Sequence, residues 1–160
     1  MVTPWDMDGG SPRREVLRML IARFAEAGVA GLYILGTTGE GTLLSERDRQ
    51  VFAEAVLEIS ADTLPVIVHT GHDRTEVACE LSCHAKRIGA AAVAAAPPCR
   101  YRFAEEELRA HYLEIASAIG DLPLFLYDIP STTGNPLNSD LLSILHADTP
   151  NVVGAKVSRG

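Results

Sequence analysis

Apolar residues along the chain gather into five short runs: GLYIL (31–35), PVIVH (65–69), AAVAA (91–95), PLFLY (123–127) and NVVGAK (151–156). Each is of strand length and reads as a continuous apolar run rather than an alternating one, the pattern of parallel strands covered on both faces. Between the runs lie stretches in which apolar residues recur at the helical period. REVLRMLIARFAEAGV (14–29) follows Ser11 and Pro12, which read as a cap and a first-turn proline. SERDRQVFAEAVLEIS (45–60) opens on Ser45 with Asp48 three residues on, close to a capping box. RTEVACELSCHAKRIG (74–89) and FAEEELRAHYLEIASAIG (103–120) end on Gly89 and Gly120, where a helix would stop, and LNSDLLSILHA (137–147) is the shortest.

The strand candidates recur at about 30 residues, the length of one βα unit. This predicts an α/β fold with a parallel sheet, uninterrupted by linker or low-complexity sequence. Two architectures satisfy the pattern: an open doubly wound sheet, or part of an eight-stranded βα barrel. With 160 residues the chain is expected to form one domain, residues 1–160.

Composition narrows the function classes. Hydrophobic residues make up 47% and charged residues 22%, as in soluble globular proteins, and the net charge of -7 disfavours nucleic acid and anionic membranes as partners. No apolar run reaches the length of a membrane span, and MVTPWDMDGG lacks the pattern of a signal peptide, so a cytoplasmic protein is expected. The three cysteines suggest no disulfide framework. Cys79, Cys83 and His84 offer too few ligands for a metal site.

In either architecture the strands present their C-terminal ends on one face, and ligands bind there. GTTGEG (36–41) follows the first run, HTGHD begins at the end of the second, APPCRY follows the third, and the fourth ends on Tyr127 and continues into DIPSTTG. The spacing of GTTGEG matches neither a dinucleotide fingerprint nor a P-loop. Its glycines and two hydroxyls suit a small carboxylate; the same segment also reads as a simple strand-to-helix turn. Lys156 ends the last run. A buried lysine tends to be neutral and can form a Schiff base with a carbonyl, although a strand-end lysine can also snorkel to water. Tyr127 and Lys156 end successive strands, which are usually neighbours, so the phenol can approach the amine and shuttle protons; Tyr127 also reads as an amphipathic aromatic at a core edge. His69, His72 and Asp73 share that face without an assigned role, and His111 and His146 read as surface or boundary residues.

GTTGEG, YDIPSTTG and GAKVS, in that order and each at a predicted strand end, resemble the dihydrodipicolinate synthase/N-acetylneuraminate lyase family, and the resemblance runs from VTPWDMDG to the last residue. It implies a (β/α)8 TIM barrel, incomplete here, with about six of eight βα units and a partial first strand. It also implies a class I aldolase or lyase acting on pyruvate or another 2-keto acid together with an aldehyde, without metal or organic cofactor. Lys156 takes the place of the imine-forming lysine, and Tyr127 that of the proton donor and acceptor. Thr37 falls in the family's proton relay, and Thr38, with the backbone of Gly36 and Gly39, in the carboxylate cradle. Tyr101 takes the place of a tyrosine that serves a neighbouring subunit. The family implies a homo-oligomer, dimer or tetramer.

The sequence departs from the family at four places. Thr132 stands where dihydrodipicolinate-forming members carry an arginine, which points away from aspartate semialdehyde as acceptor and toward another aldehyde or sugar acid. Arg100 or Tyr101 falls where an aromatic pair is usual. Asp128 follows Tyr127 where asparagine is usual, and a carboxylate near the imine would raise the amine pKa. The last two βα units are expected to be absent, which would leave strand edges open. The alternative to an enzyme is therefore a non-catalytic remnant or assembly partner of the same fold. A doubly wound nucleotide-binding domain fits less well, since the run at 65–69 ends on His69 rather than an acidic residue.

Overall fold

The computed structural model describes residues 1–61 and 63–159. Five strands form one parallel sheet: β3 (Leu32–Ile34), β4 (Val66–His69), β5 (Ala92–Ala95), β6 (Leu124–Asp128) and β7 (Val152–Val157), neighbours in space in the order of the chain. A sheet wound in one direction has no topological switch point, which removes the doubly wound alternative and leaves an arc of a βα barrel.

Ahead of the sheet, β1 (Trp5–Asp6) and β2 (Ser11–Pro12) form an antiparallel ribbon. What remains beside β3 of the expected first strand is a bond from the amino group of Met1 to the Tyr33 carbonyl at 2.8 Å. Ser11 and Pro12 are thus strand residues and not a helix start. Helix α1 (Arg14–Glu26) begins after Arg13, whose own N–H is held by the Pro4 carbonyl at 2.9 Å.

The other long helices follow the strands: α2 (Glu46–Ser60), α3 (Thr75–Arg87), α4 (Glu105–Ile119) and, after a short α5 (Pro130–Thr133), α6 (Ser139–Asp148). The Ser45 hydroxyl caps α2 by accepting from the Asp48 amide at 3.1 Å, and Asn138 caps α6 by accepting from the Leu141 amide at 2.8 Å. Gly89 and Gly120, just past α3 and α4, have φ of 87° and 62°, a conformation that glycine adopts without a Cβ penalty.

Strand register decides which face each side chain occupies. Tyr33, His69, Ala94, Tyr127 and Lys156 fall on the concave face, and Ile34, Val68, Val93 and Leu126 on the convex one. The core joins these convex-face residues to Leu17 and Ile21 of α1, Phe52 and Val56 of α2, and Leu108 and Ile115 of α4. The helix side is sealed along β3 to β6, and the concave side only in its middle, where His69, Ala94 and Tyr127 are buried. Ile67 and Phe125 on the concave side are half-buried, because an open arc brings no strands up opposite them. On β7 the helix side is closed only at Val152, which pairs with Leu124; Val157, paired with Asp128, is 56% exposed.

Candidate active site

The loop after β3 is shaped by two residues with left-handed backbone. Leu35 (φ 60°) and Glu40 (φ 51°) flank a 3-10 turn at Thr37–Gly39. Such conformations cost non-glycine residues about 1–2 kcal/mol each and persist where the surroundings enforce them. Glycine is obligatory at two positions beside them. A Cβ on Gly36 would collide with the Tyr33 ring, and one on Gly41 with the Leu35 carbonyl. The turn leads off with Thr37 and Thr38, whose amides therefore have no acceptor within it.

Register then brings the other groups to this loop. Tyr127 pairs with Lys156 across β6 and β7, and the Lys156 amine sits over the Tyr127 ring, 3.4 Å from its centroid. It also donates to Ser158 Oγ at 3.1 Å. The Tyr127 hydroxyl lies 3.3 Å from Thr37 Oγ1. Burial pushes the phenol up. Lys156, Thr37 and Ser158 outweigh that by stabilising the phenolate, and the net effect holds Tyr127 below the ordinary tyrosine value. A phenol so placed can exchange protons with a group bound at the amine.

A cleft of about 560 Å³ opens beside this cluster, lined among others by Gly36, Thr37, Glu40, Thr42, His69, Arg100, Tyr127 and Thr132. Tyr127 and His69 line it, and the Tyr33 ring packs edge-on against Tyr127, with centroids 6.0 Å apart; the Tyr33 phenol is driven upward by burial and then by Tyr127. Arg49, 2% exposed, reaches in from α2 and donates to the carbonyls of His69 (2.8 Å) and Gly71 (3.2 Å); burial pushes it down to about 10.

The structure thus joins Lys156, Tyr127 and Thr37 in one cluster; Tyr127, Thr37 and Gly36 line the cleft, and Lys156 stands beside it on the Tyr127 ring. Thr38 is solvent-exposed in the turn, and the Gly39 carbonyl is taken by the Thr3 hydroxyl at 2.5 Å. Tyr101 does not join them. Its side chain is 69% exposed and lines a neighbouring cavity with Arg102, Ser131 and Gly134, so Arg100 is the loop residue that reaches the cleft. Lys156 itself is half-buried rather than enclosed, because β7 is an edge strand.

Asp128 corrects another expectation. It lies on the opposite face of β6 from Tyr127, wholly buried, where it accepts from the Leu137 amide at 2.9 Å and from Arg159 Nε at 2.5 Å. Its charge is spent on Arg159 and is turned away from the amine. Residues that sequence reasoning passed over are Tyr33, Arg49, Ser158 and Arg159, and it places His69 at the strand ends without a role. For Tyr33 and His69 the signal was strand alternation carried across the register, which puts them on the face of Tyr127 and Lys156. His111 is buried and bonded to the Thr75 hydroxyl at 2.9 Å, not a surface residue.

Among the described residues no three His, Cys, Asp or Glu side chains gather as a metal site would need, and no helix is long and apolar enough to cross a membrane.

The comparisons agree along the whole chain. The dihydrodipicolinate synthetase family model matches residues 1–160. The 4-hydroxy-tetrahydrodipicolinate synthase of Methanopyrus kandleri is 34% identical over 160 residues, covering 100% of this chain and 53% of the relative. The wild-type sialic acid aldolase of Ruminococcus gnavus superposes with a TM-score of 0.90 at 30% identity, over 99% of this chain and 52% of that one. YagE, a prophage protein of the dihydrodipicolinic acid synthase family from E. coli K12 solved in complex with pyruvate, does so with a TM-score of 0.93 at 29% identity, over 98% and 52%. The chain spans about half the length of the curated relatives it matches. With its family model matched from end to end and its half-barrel superposing on family structures, this chain belongs to the dihydrodipicolinate synthetase family.

Proposed function

We propose that this chain carries the imine-forming half of a class I lyase or aldolase that acts on pyruvate or a related 2-keto acid. The observation that carries the reading is the Lys156 amine seated on Tyr127, whose hydroxyl in turn meets Thr37. The free-base amine attacks the C2 carbonyl of the keto acid to give a carbinolamine. Tyr127, relayed through Thr37, hands a proton to the departing hydroxyl, which leaves as water and yields the protonated imine. The imine draws electrons from C3, a C3 proton is removed, and an enamine forms. In the synthetic direction C3 bonds to the aldehyde carbon, the aldehyde oxygen takes up a proton, and water hydrolyses the imine to free Lys156 and the product. Cleavage runs the same steps backward. No metal or organic cofactor enters these steps. The amides of Thr37 and Thr38 receive the keto-acid carboxylate.

The acceptor we infer is a hydroxylated aldehyde rather than aspartate semialdehyde. Thr132 and Thr37 present hydroxyls to the cleft alongside Glu40, and the Arg100 guanidinium is drawn to Asp73, 3.7 Å away. The working form is a cytoplasmic homo-oligomer. Incubating the protein with 2-keto-3-deoxy sugar acids and following pyruvate release tests the substrate class. Release from the sugar acids, and no pyruvate consumption with aspartate semialdehyde, is expected. The reverse pattern would overturn it.

The second reading is an assembly partner without catalysis of its own. It is favoured by Val157 on β7, which stands uncovered on the side where helices seal the other strands.

A further inference from the structure

β5 is made almost wholly of small residues, and its concave face gives the reason. His69 on β4 and Tyr127 on β6 flank it with one strand between, yet their rings meet edge to face, centroids 5.9 Å apart at 89°. Adjacent strands lie about 4.8 Å apart, so the two backbones begin nearly twice that distance from each other. The rings can lean together only over short side chains. Ala94 lies level with His69, and Ala96, just past the strand, comes level with Tyr127, so only methyl groups stand beneath them.

The His69 ring is itself held from several sides. Nε2 accepts the Ala96 amide at 3.2 Å, which fixes the proton of the neutral ring on Nδ1. Arg49 pins the His69 carbonyl at 2.8 Å, and the Tyr33 ring closes the remaining side, 6.4 Å between centroids. Burial, then the charge of Arg49 and that of Lys156, push the imidazole down to about 3, against an opposing pull from the Leu35 carbonyl. The ring is therefore a neutral wedge near neutral pH.

We propose that His69 is a positioning residue: it holds the Tyr127 ring at the angle that presents its hydroxyl to Thr37 and its face to the Lys156 amine. The effect of His69 on turnover rests on the imine reading above; its effect on Tyr127 does not. Around the phenol stand Tyr33 of β3, Thr37 of the loop, His69 of β4, and Lys156 and Ser158 at the end of β7. Displacing the ring would separate it from the three groups that hold its pKa down.

The test uses the 160-residue chain and its His69→Ala, Ala94→Leu and His69→Phe variants. Two quantities are read: the rate of borohydride-trapped pyruvate adduct against pyruvate concentration, and phenol ionisation by ultraviolet difference against Tyr127→Phe. In His69→Ala and Ala94→Leu the saturating trapping rate should fall about ten- to a hundredfold with the half-saturating pyruvate concentration unchanged, as expected for a catalytic group misplaced by about an ångström. The Tyr127 titration should move up toward the ordinary value. His69→Phe keeps an aromatic edge and should recover the rate to within about threefold, which separates ring positioning from general loosening. Wild-type rates and an unmoved phenol in both His69→Ala and Ala94→Leu would overturn the proposal. If the wild-type chain forms no adduct, the imine reading fails on its own, and the phenol titration still decides for or against His69.

Discussion

The Lys156 amine rests on the face of the Tyr127 ring, 3.4 Å from its centroid, while the hydroxyl of that ring turns to Thr37 Oγ1 at 3.3 Å. The ring seats the amine and the oxygen carries protons, so the two roles are separable. Tyr127→Phe keeps the seat and removes the carrier. Adduct formation with pyruvate should slow by about a hundredfold or more, the usual reach of a positioned proton donor. Folding stability should change by no more than about 1.5 kcal/mol, the value of one hydrogen bond. Trapping rates and a urea titration check both. An unchanged rate would show that the phenol moves no proton.

Two buried histidines set an acid limit on stability. His69 is pushed down to about 3 and His111 to about 4, in both cases by burial first. A histidine neutral in the fold but protonated when unfolded makes the unfolded chain bind more protons as pH falls below the ordinary value of 6.5. The stability these groups contribute is therefore fully present above that value and is lost on acidification toward 4. While both differ, the slope is about 1.4 kcal/mol per pH unit for each. Urea midpoints at about pH 7 and about pH 5 should show the fall, and His69→Phe should remove about half of the slope. An equal slope in that variant would contradict the assignment.

Asp128 and Arg159 form a latch at the end of β6 and β7. Arg159 also donates from Nη2 to the Leu137 carbonyl at 2.8 Å, and the Ser158 amide meets the Asp128 carbonyl at 2.8 Å. Removing one partner strands a buried carboxylate, at a typical cost of about 3–5 kcal/mol for an enclosed pair. Arg159 is 52% exposed, so water re-enters readily and Arg159→Ala should cost about 2 kcal/mol. Asp128→Asn in the same background should recover part of that loss, because the amide oxygen still accepts from Leu137 without a charge to bury. A double-mutant cycle in denaturant measures the coupling, and additive effects would sink the latch.

The sequence made the strands legible because a buried parallel strand is a short apolar run, and the loop, Tyr127 and Lys156 legible because chemistry in such folds gathers at strand ends. It misled where one fact depended on tertiary context. NVVGAK reads as a fully buried strand, yet α6 covers only its start, where Val152 is buried, and Val153 and Ala155 at the sheet edge are exposed. Ser11 and Pro12 have the composition of a helix start, and the ribbon with Trp5–Asp6 claimed them first. Asp128 looked like a charge beside the amine until strand alternation turned it to the other face. Arg159, its partner, carried no local signal, since an ion pair across 31 positions is made by the fold alone.

The most direct test of the central claim is borohydride reduction in the presence of pyruvate, read by intact mass and peptide mapping, with Lys156→Ala alongside. The expected result is one reduced pyruvyl group per chain, mapped to Lys156 and absent from the variant. A soluble, folded chain that gains no adduct, or gains it equally in Lys156→Ala, would contradict it.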